Sequence, residues 1–280
     1  MPTILFRVAL FLILLATGGM IVFIIKQQKS VFTWSYRIFL TGFVFHTVFL
    51  VQQYVALGTA PVLSLKSSLG FFAWTISGVY LLFQQRFRLM VLGSFIAPLA
   101  AVLMLASVSL PGIPATVVHP LFKSVWLPIH VLTVFAGDGM FALAFAASVM
   151  YLLQERQIKR KRFGTLYSRL PSLETLDAIS HRALIWGFPL LTVGMVTGAI
   201  YAQQALGSYW RWDPKEVWSL ITWLGYAVLL HERLTVGWRG RKAAVLSIVC
   251  FSLLLFTFIA ISLWASDYHS FKSLEGGLTS

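Results

Sequence analysis

Ten residues, Tyr209-Trp-Arg-Trp-Asp-Pro-Lys-Glu-Val-Trp218, gather three tryptophans, two acids and two bases between stretches that are otherwise almost purely apolar. Indole rings favour membrane–water boundaries because an apolar ring there carries a polar N–H. That preference accounts for one or two rings, not for this density. Trp210, Trp212 and Trp218 read instead as a surface for something large, flat and apolar. Asp213 and Pro214 carry the marks of a helix start, an N-cap acceptor followed by a residue that needs no N–H partner. Glu216 adds a negative charge where the helix dipole favours one. A capped interfacial helix explains these three residues but not the two tryptophans ahead of them.

The six histidines sort by position. His130 opens an apolar run after Trp126-Leu-Pro-Ile, and His269 follows the last apolar run. Two neutral imidazoles facing across a hydrophobic slot would form an axial pair for a haem iron. The other reading makes His130 a capped helix end and His269 a tail residue. His46 lies mid-run and His231 near the end of its run, where each is either functional or hydrogen-bonded to a neighbouring helix. His119 and His181 read as structural or interfacial. Asp138 follows His130 by eight residues in the same run, about 12 Å deeper along a helix. It calls for a partner on a neighbouring helix or for a relay role.

The elements that must position these residues are spanning helices. Of 280 residues, 58% are hydrophobic and 11% charged, far from the roughly 25% charge of soluble domains. Eight apolar runs are long enough to span: Val8–Ile25, Ile38–Leu57, Ser67–Gln85, Leu89–Leu110, Val125–Leu153, Ala183–Leu206, Pro214–Trp238 and Ala243–Ala265. The third is weakly apolar, and the seventh starts inside the tryptophan cluster and carries His231-Glu232-Arg233 near its end. The sequence therefore predicts an all-α fold, a polytopic transmembrane bundle in one domain over residues 1–280. A tryptophan-rich external segment, 203–218, with a short helix precedes the seventh span. No internal repeat of solenoid length is visible, and no cleavable signal is expected, because the first run leads directly into Lys26 and Lys29.

The net charge of +13 does not point to nucleic acid, because of where the charges fall. With both termini outside, segments 26–37, 85–88, 154–182 and 232–242 are inner and hold 16 of the 22 Lys and Arg residues. That is the positive-inside bias of an integral membrane protein. It puts His130, His269 and the tryptophans on the outer face. The single cysteine, Cys250, permits no internal disulfide and no Cys-x-x-Cys chemistry.

The run from Ser208 through Trp223 to Tyr226, closed by His231, resembles the tryptophan-rich WWD signature of the haem-handling cytochrome c assembly family, most closely its CcsA/ResC type. Arg182–Gly198 looks like the helix ahead of that signature. Trp126–His130 looks like the family's first external histidine motif and Tyr268–Ser270 like its second. Pro61, Ser68-Leu69 and Phe72–Trp74 fit its weaker N-terminal pattern. Leu206 stands where the family often has a further tryptophan, and Arg211 where a small residue is usual.

The resemblance implies His130 and His269 as external axial ligands to haem iron and His231 as a transient transmembrane ligand. It implies Trp210, Trp212, Asp213, Pro214, Lys215, Glu216 and Trp218 as the haem-cradling signature. It further implies haem b as a bound substrate, exported and attached to the Cys-x-x-Cys-His segment of an apocytochrome c. The expected partners are a ResB/CcsB-type membrane subunit, forming a two-subunit cytochrome c synthetase, and external thiol-reducing proteins. The expected location is a bacterial inner membrane or a thylakoid membrane. A HemX-like regulator or a CcmC-like chaperone would share the signature, whereas a haem-free transporter would carry the tryptophans as an interface belt.

Overall fold

The computed structural model describes residues 2–110, 124–161, 164 and 167–264, and among these there is no strand. Each of the eight expected spans is a helix. They are α1 (Pro2–Lys26), α2 (Lys29–Leu57), α3 (Leu65–Phe87), α4 (Gly93–Ser109), α5 (Trp126–Lys159), α6 (Leu173–Leu206), α7 (Pro214–His231) and α8 (Arg241–Trp264). A 3-10 turn, Met90–Leu92, leads into α4, and a π-turn, Glu232–Val236, extends α7. α1, α2, α4, α5, α6 and α8 are long and apolar enough to cross a membrane. The chain is an integral membrane protein of polytopic helical design.

The punctuation between helices follows local chemistry. Gly58 and Gly207 close α2 and α6 in the left-handed conformation that glycine adopts without a Cβ clash. Ser64 caps α3 in a reciprocal box with Ser67, and Asp213 caps α7 in a second box with Glu216. Ser172 accepts from the Thr175 amide and starts α6 at Leu173, so that helix begins ten residues ahead of its apolar core.

Packing divides the helices into two four-membered rings. α1 lies against α2 and α4, and α3 completes the first ring against α2 and α4. α5 lies against α6 and α8, and α7 completes the second ring against α6 and α8. The rings join where α3 packs on α5, with Phe71 and Phe72 of α3 set against Phe135 of α5. This explains the weak apolarity of α3. Most of its 23 residues are buried by other helices, so its Ser68, Thr75 and Ser77 bond internal carbonyls and do not meet lipid.

The most extensive helix pair is α5–α6. A Cβ on Gly137 would come 3.0 Å from both the Gly187 carbonyl oxygen and the Leu191 nitrogen. Backbone touches backbone at this seam, the close approach that small residues permit inside membranes. Phe141 stacks on Tyr226 of α7 with ring centroids 3.6 Å apart and fills the interior behind the seam. Ser107 near the end of α4 donates to the Lys66 carbonyl at the start of α3, and Phe71 in the first turns of α3 meets Phe135 in the early turns of α5. α3, α5 and α7 therefore begin at one end of the bundle, here the site end, and Lys159, Arg233 and Arg241 lie at the other, the basic end.

Candidate functional site

His130 lies about one turn inside the start of α5 and is half-buried against α6. Its Nδ1 is 2.7 Å from the carbonyl oxygen of Gly194. A carbonyl only accepts, so Nδ1 carries the proton in the neutral ring and the lone pair sits on Nε2. Gly198 completes the seat, because a Cβ there would stand 2.6 Å from Nδ1 and 2.7 Å from Cε1 of the same ring. Gly194 and Gly198 thus serve one imidazole, the first by its carbonyl and the second by its missing side chain. Ser124, just ahead of α5, donates to the Gln204 side chain near the end of α6 at 3.2 Å.

The tryptophan segment runs from that end of α6 into α7. Ser208 donates its hydroxyl to the Trp210 carbonyl at 2.8 Å. Trp210 and Trp212 meet edge to face, centroids 5.9 Å apart. Trp212 is 76% exposed and holds φ at 61°, a left-handed backbone that bulky residues rarely adopt. The helix that Asp213 caps is α7 itself: its carboxylate accepts from the Lys215 amide at 2.7 Å. Glu216 turns back to accept from the Arg211 amide at 2.8 Å and the Asp213 amide at 3.4 Å. Pro214 occupies the first helical position. Trp218 points into the bundle edge and meets Phe256 of α8 edge to face at 5.4 Å. Asp213, Pro214 and Glu216 therefore shape the loop, Trp212 presents exposed ring surface with Trp210 half-buried against it, and Trp218 packs into the bundle edge.

His231 ends α7 and is exposed on the outside of the bundle. It is 17 residues from Pro214, about 25 Å along a helix, so it cannot share a ligand with His130. Immediately behind it, Arg233 is held by α6. Its guanidinium reaches both carboxylate oxygens of Asp177 at 2.9 and 3.1 Å, and its Nε donates to Nδ1 of His181 at 3.1 Å. Asp177 also accepts from the Gly240 amide at 2.9 Å. His181 is thus a structural residue of the basic end. His46 is fully buried with the edge of its ring on Phe6, and its Nε2 has no partner. Asp138 is buried close to Tyr226 of α7. His269 and His119 lie outside the described residues.

The seat of His130 and the Arg233 cluster were not foreseen from sequence. The spacing Gly194-Met-Val-Thr-Gly198 is the one available signal, since glycines four apart mark close helix approach.

Comparison with known proteins agrees with this architecture. The model of the family described as "Cytochrome C assembly protein" matches residues 62–269. A cytochrome c biogenesis protein CcsA from Chlamydomonas reinhardtii is 38% identical over 220 residues, covering 76% of this chain and 61% of that protein. CcsA from Guillardia theta is 31% identical over 274 residues, covering 90% of each chain. CcsA from Microcystis aeruginosa is 32% identical over 266 residues, covering 78% of this chain and 81% of that one. Among solved structures, the cytochrome c haem lyase CcmF superimposes with a TM-score of 0.64 at 16% identity, over 92% of this chain and 46% of that one, a likeness of fold alone. The match over 62–269 and the relatives above 30% identity place this chain in the cytochrome c assembly protein family, as a CcsA-type member.

Proposed function

We propose that this chain presents haem to apocytochrome c at the site end and takes part in its covalent attachment there. In this reading it is the CcsA-type subunit of a two-subunit cytochrome c synthetase with a ResB/CcsB-type partner. The observation that carries the reading is the hydrogen bond from His130 to the Gly194 carbonyl, which fixes the ring and puts the proton on Nδ1, the tautomer in which Nε2 is the ligating nitrogen. The relatives that are cytochrome c biogenesis proteins CcsA point the same way. Haem b is the substrate rather than a resident cofactor.

The roles follow from the chemistry of each residue. His130 binds the iron on one axial side and His269 on the other. Trp210 and Trp212 cover the porphyrin face, and Arg211 or Lys215 meets a propionate in a charge-assisted contact. Thioether formation adds a thiol S–H across a vinyl double bond, sulfur to one carbon and hydrogen to the other, with no net oxidation. The protein's contribution is to hold that vinyl group before the incoming thiol. Keeping the thiols reduced falls to other proteins, since Cys250 is the only cysteine in the chain and is buried.

His231 binds haem transiently on its way from the basic end. Being exposed, it takes its second ligand from outside this chain, which supports a partner subunit. The basic bias of the inner segments supports a site end on the periplasmic or lumenal face of a bacterial inner or thylakoid membrane.

Co-expression with the partner and an apocytochrome, followed by an absorption spectrum of the purified complex, tests the reading. A haem spectrum that His130→Gly loses and imidazole restores is the expected result. A colourless wild-type complex overturns it. Maturation that survives loss of both His130 and His269 would make the chain a HemX-like regulator instead.

A further inference from the structure

The two rings are built alike, and the likeness extends to side chains. In the first ring the Trp74 indole N–H donates to the Thr47 hydroxyl at 2.8 Å, and that hydroxyl donates to the Phe43 carbonyl. In the second, Trp223 donates to Thr192 at 2.9 Å, and Thr192 donates to the Phe188 carbonyl. Each indole also stacks on the same phenylalanine, with centroids 5.8 Å apart for Phe43–Trp74 and 5.2 Å for Phe188–Trp223.

The chain around these clamps keeps step. Gly58 and Gly207, Ser64 and Asp213, Lys66 and Lys215, Trp74 and Trp223, and Arg88 and Gly237 are pairs separated by the same 149 residues. These pairs match in role: left-handed helix ends at Gly58 and Gly207, capping residues at Ser64 and Asp213, left-handed ends again at Arg88 and Gly237. In the preceding helices, Gly42 and Gly187, Phe43 and Phe188, and Thr47 and Thr192 are 145 residues apart. The difference of about one turn is taken up within α6.

Only the second copy carries the site. Thr192 holds α7 through Trp223, while Gly194 and Gly198, on the following turns of α6, hold His130. One stretch of α6, residues 188–198, therefore grips both the imidazole and the helix that the tryptophan segment caps. We propose that Trp223 and Thr192 are positioning residues. Their bond sets the register of α7 on α6, and so holds Trp210 and Trp212 at a fixed place relative to His130. The Trp74–Thr47 clamp performs the same mechanical task in a ring that holds no such site. This inference rests on the proposed haem reading for its functional meaning, not for its geometry.

The first copy supplies the control. Trp223→Phe and Thr192→Val remove the second clamp, Trp74→Phe and Thr47→Val the first, and Thr192→Ser keeps the hydroxyl. In the complex with its partner, Trp223→Phe and Thr192→Val should weaken retention of haem by at least tenfold and shift its absorption maximum. Thr192→Ser, Trp74→Phe and Thr47→Val should keep both, even where they lower the melting temperature equally.

A second readout is independent of haem. Spin labels at the exposed positions Val125 and Tyr209, in a Cys250→Ala background, should give a narrow distance distribution that Trp223→Phe broadens and Trp74→Phe leaves narrow. Equal behaviour of the two clamps in either readout overturns the proposal, as does full retention by Thr192→Val. A colourless wild type overturns the haem reading alone and leaves the distance measurement to decide this one.

Discussion

The imidazole of His130 occupies the space that a side chain on Gly198 would fill, with Nδ1 only 2.6 Å from that missing Cβ. Gly198→Ala should therefore push the ring off the Gly194 carbonyl, because the neighbouring helix backbone at the seam cannot yield. The expected result is a changed haem spectrum and loss of cytochrome c maturation, with the helical circular dichroism retained. Gly18→Ala on α1, where no atom lies within 4 Å of the new Cβ, should leave both unchanged.

Trp212 is a large residue in a left-handed backbone, φ 61°, a conformation that costs of order 1 kcal/mol outside glycine. Trp212→Gly should raise the melting temperature of the complex slightly while weakening its hold on haem. Trp212→Phe keeps the backbone strain and part of the ring surface. It should show no gain in stability and a smaller loss of haem. A thermal melt beside a haem titration measures both, and equal haem retention by all three would remove Trp212 from the cradle.

Asp213 accepts from the first turn of α7, and Glu216 returns the bond to the loop. Asp213→Ala should destabilise by about 1 kcal/mol, the usual value for a lost N-cap. Asp213→Asn, which keeps an acceptor oxygen, should lose far less. Thermal unfolding in detergent separates the two.

At the basic end, Arg233→Met leaves the half-buried Asp177 carboxylate without its guanidinium, and the loss of these charge-assisted hydrogen bonds is worth about 2 kcal/mol. The double variant Arg233→Met with Asp177→Leu should recover part of that loss, since no charge is then stranded. If the double variant melts below the single one, the Asp177 bond to the Gly240 amide matters more than the ion pair.

Helix count and order were legible in the sequence because lipid demands long apolar runs, which six of the helices supply, and the two weaker runs still stand out from the loops. The start of α7 was legible too, since Asp213, Pro214 and Glu216 are local signals that need no distant partner. What stayed hidden is everything made between helices. Gly194 becomes the acceptor for His130 only when α6 lies against α5, 64 residues away in sequence. Thr192 and Thr47 look like filler in apolar runs until an indole reaches them from the next helix. The duplication is hidden in the sequence because its spacing changes from 145 to 149 residues within one helix, so no single period runs through the chain. The weak apolarity of α3 is visible in the sequence, but its cause is not: other helices enclose it.

The glycine seam between α5 and α6 bears on traffic through the bundle. Backbones that touch at Gly137 and Gly187 leave no slit for a planar macrocycle, and Phe141, Tyr226 and Phe251 plug the space behind them. A flat molecule passing between the levels of His231 and His130 therefore finds no path through this seam, whereas the exposed apolar flank of α7, with Ile221, Leu224 and Val228, offers it a surface to follow. Membrane fluidity, and whatever subunit walls off that flank, would then govern how fast it arrives.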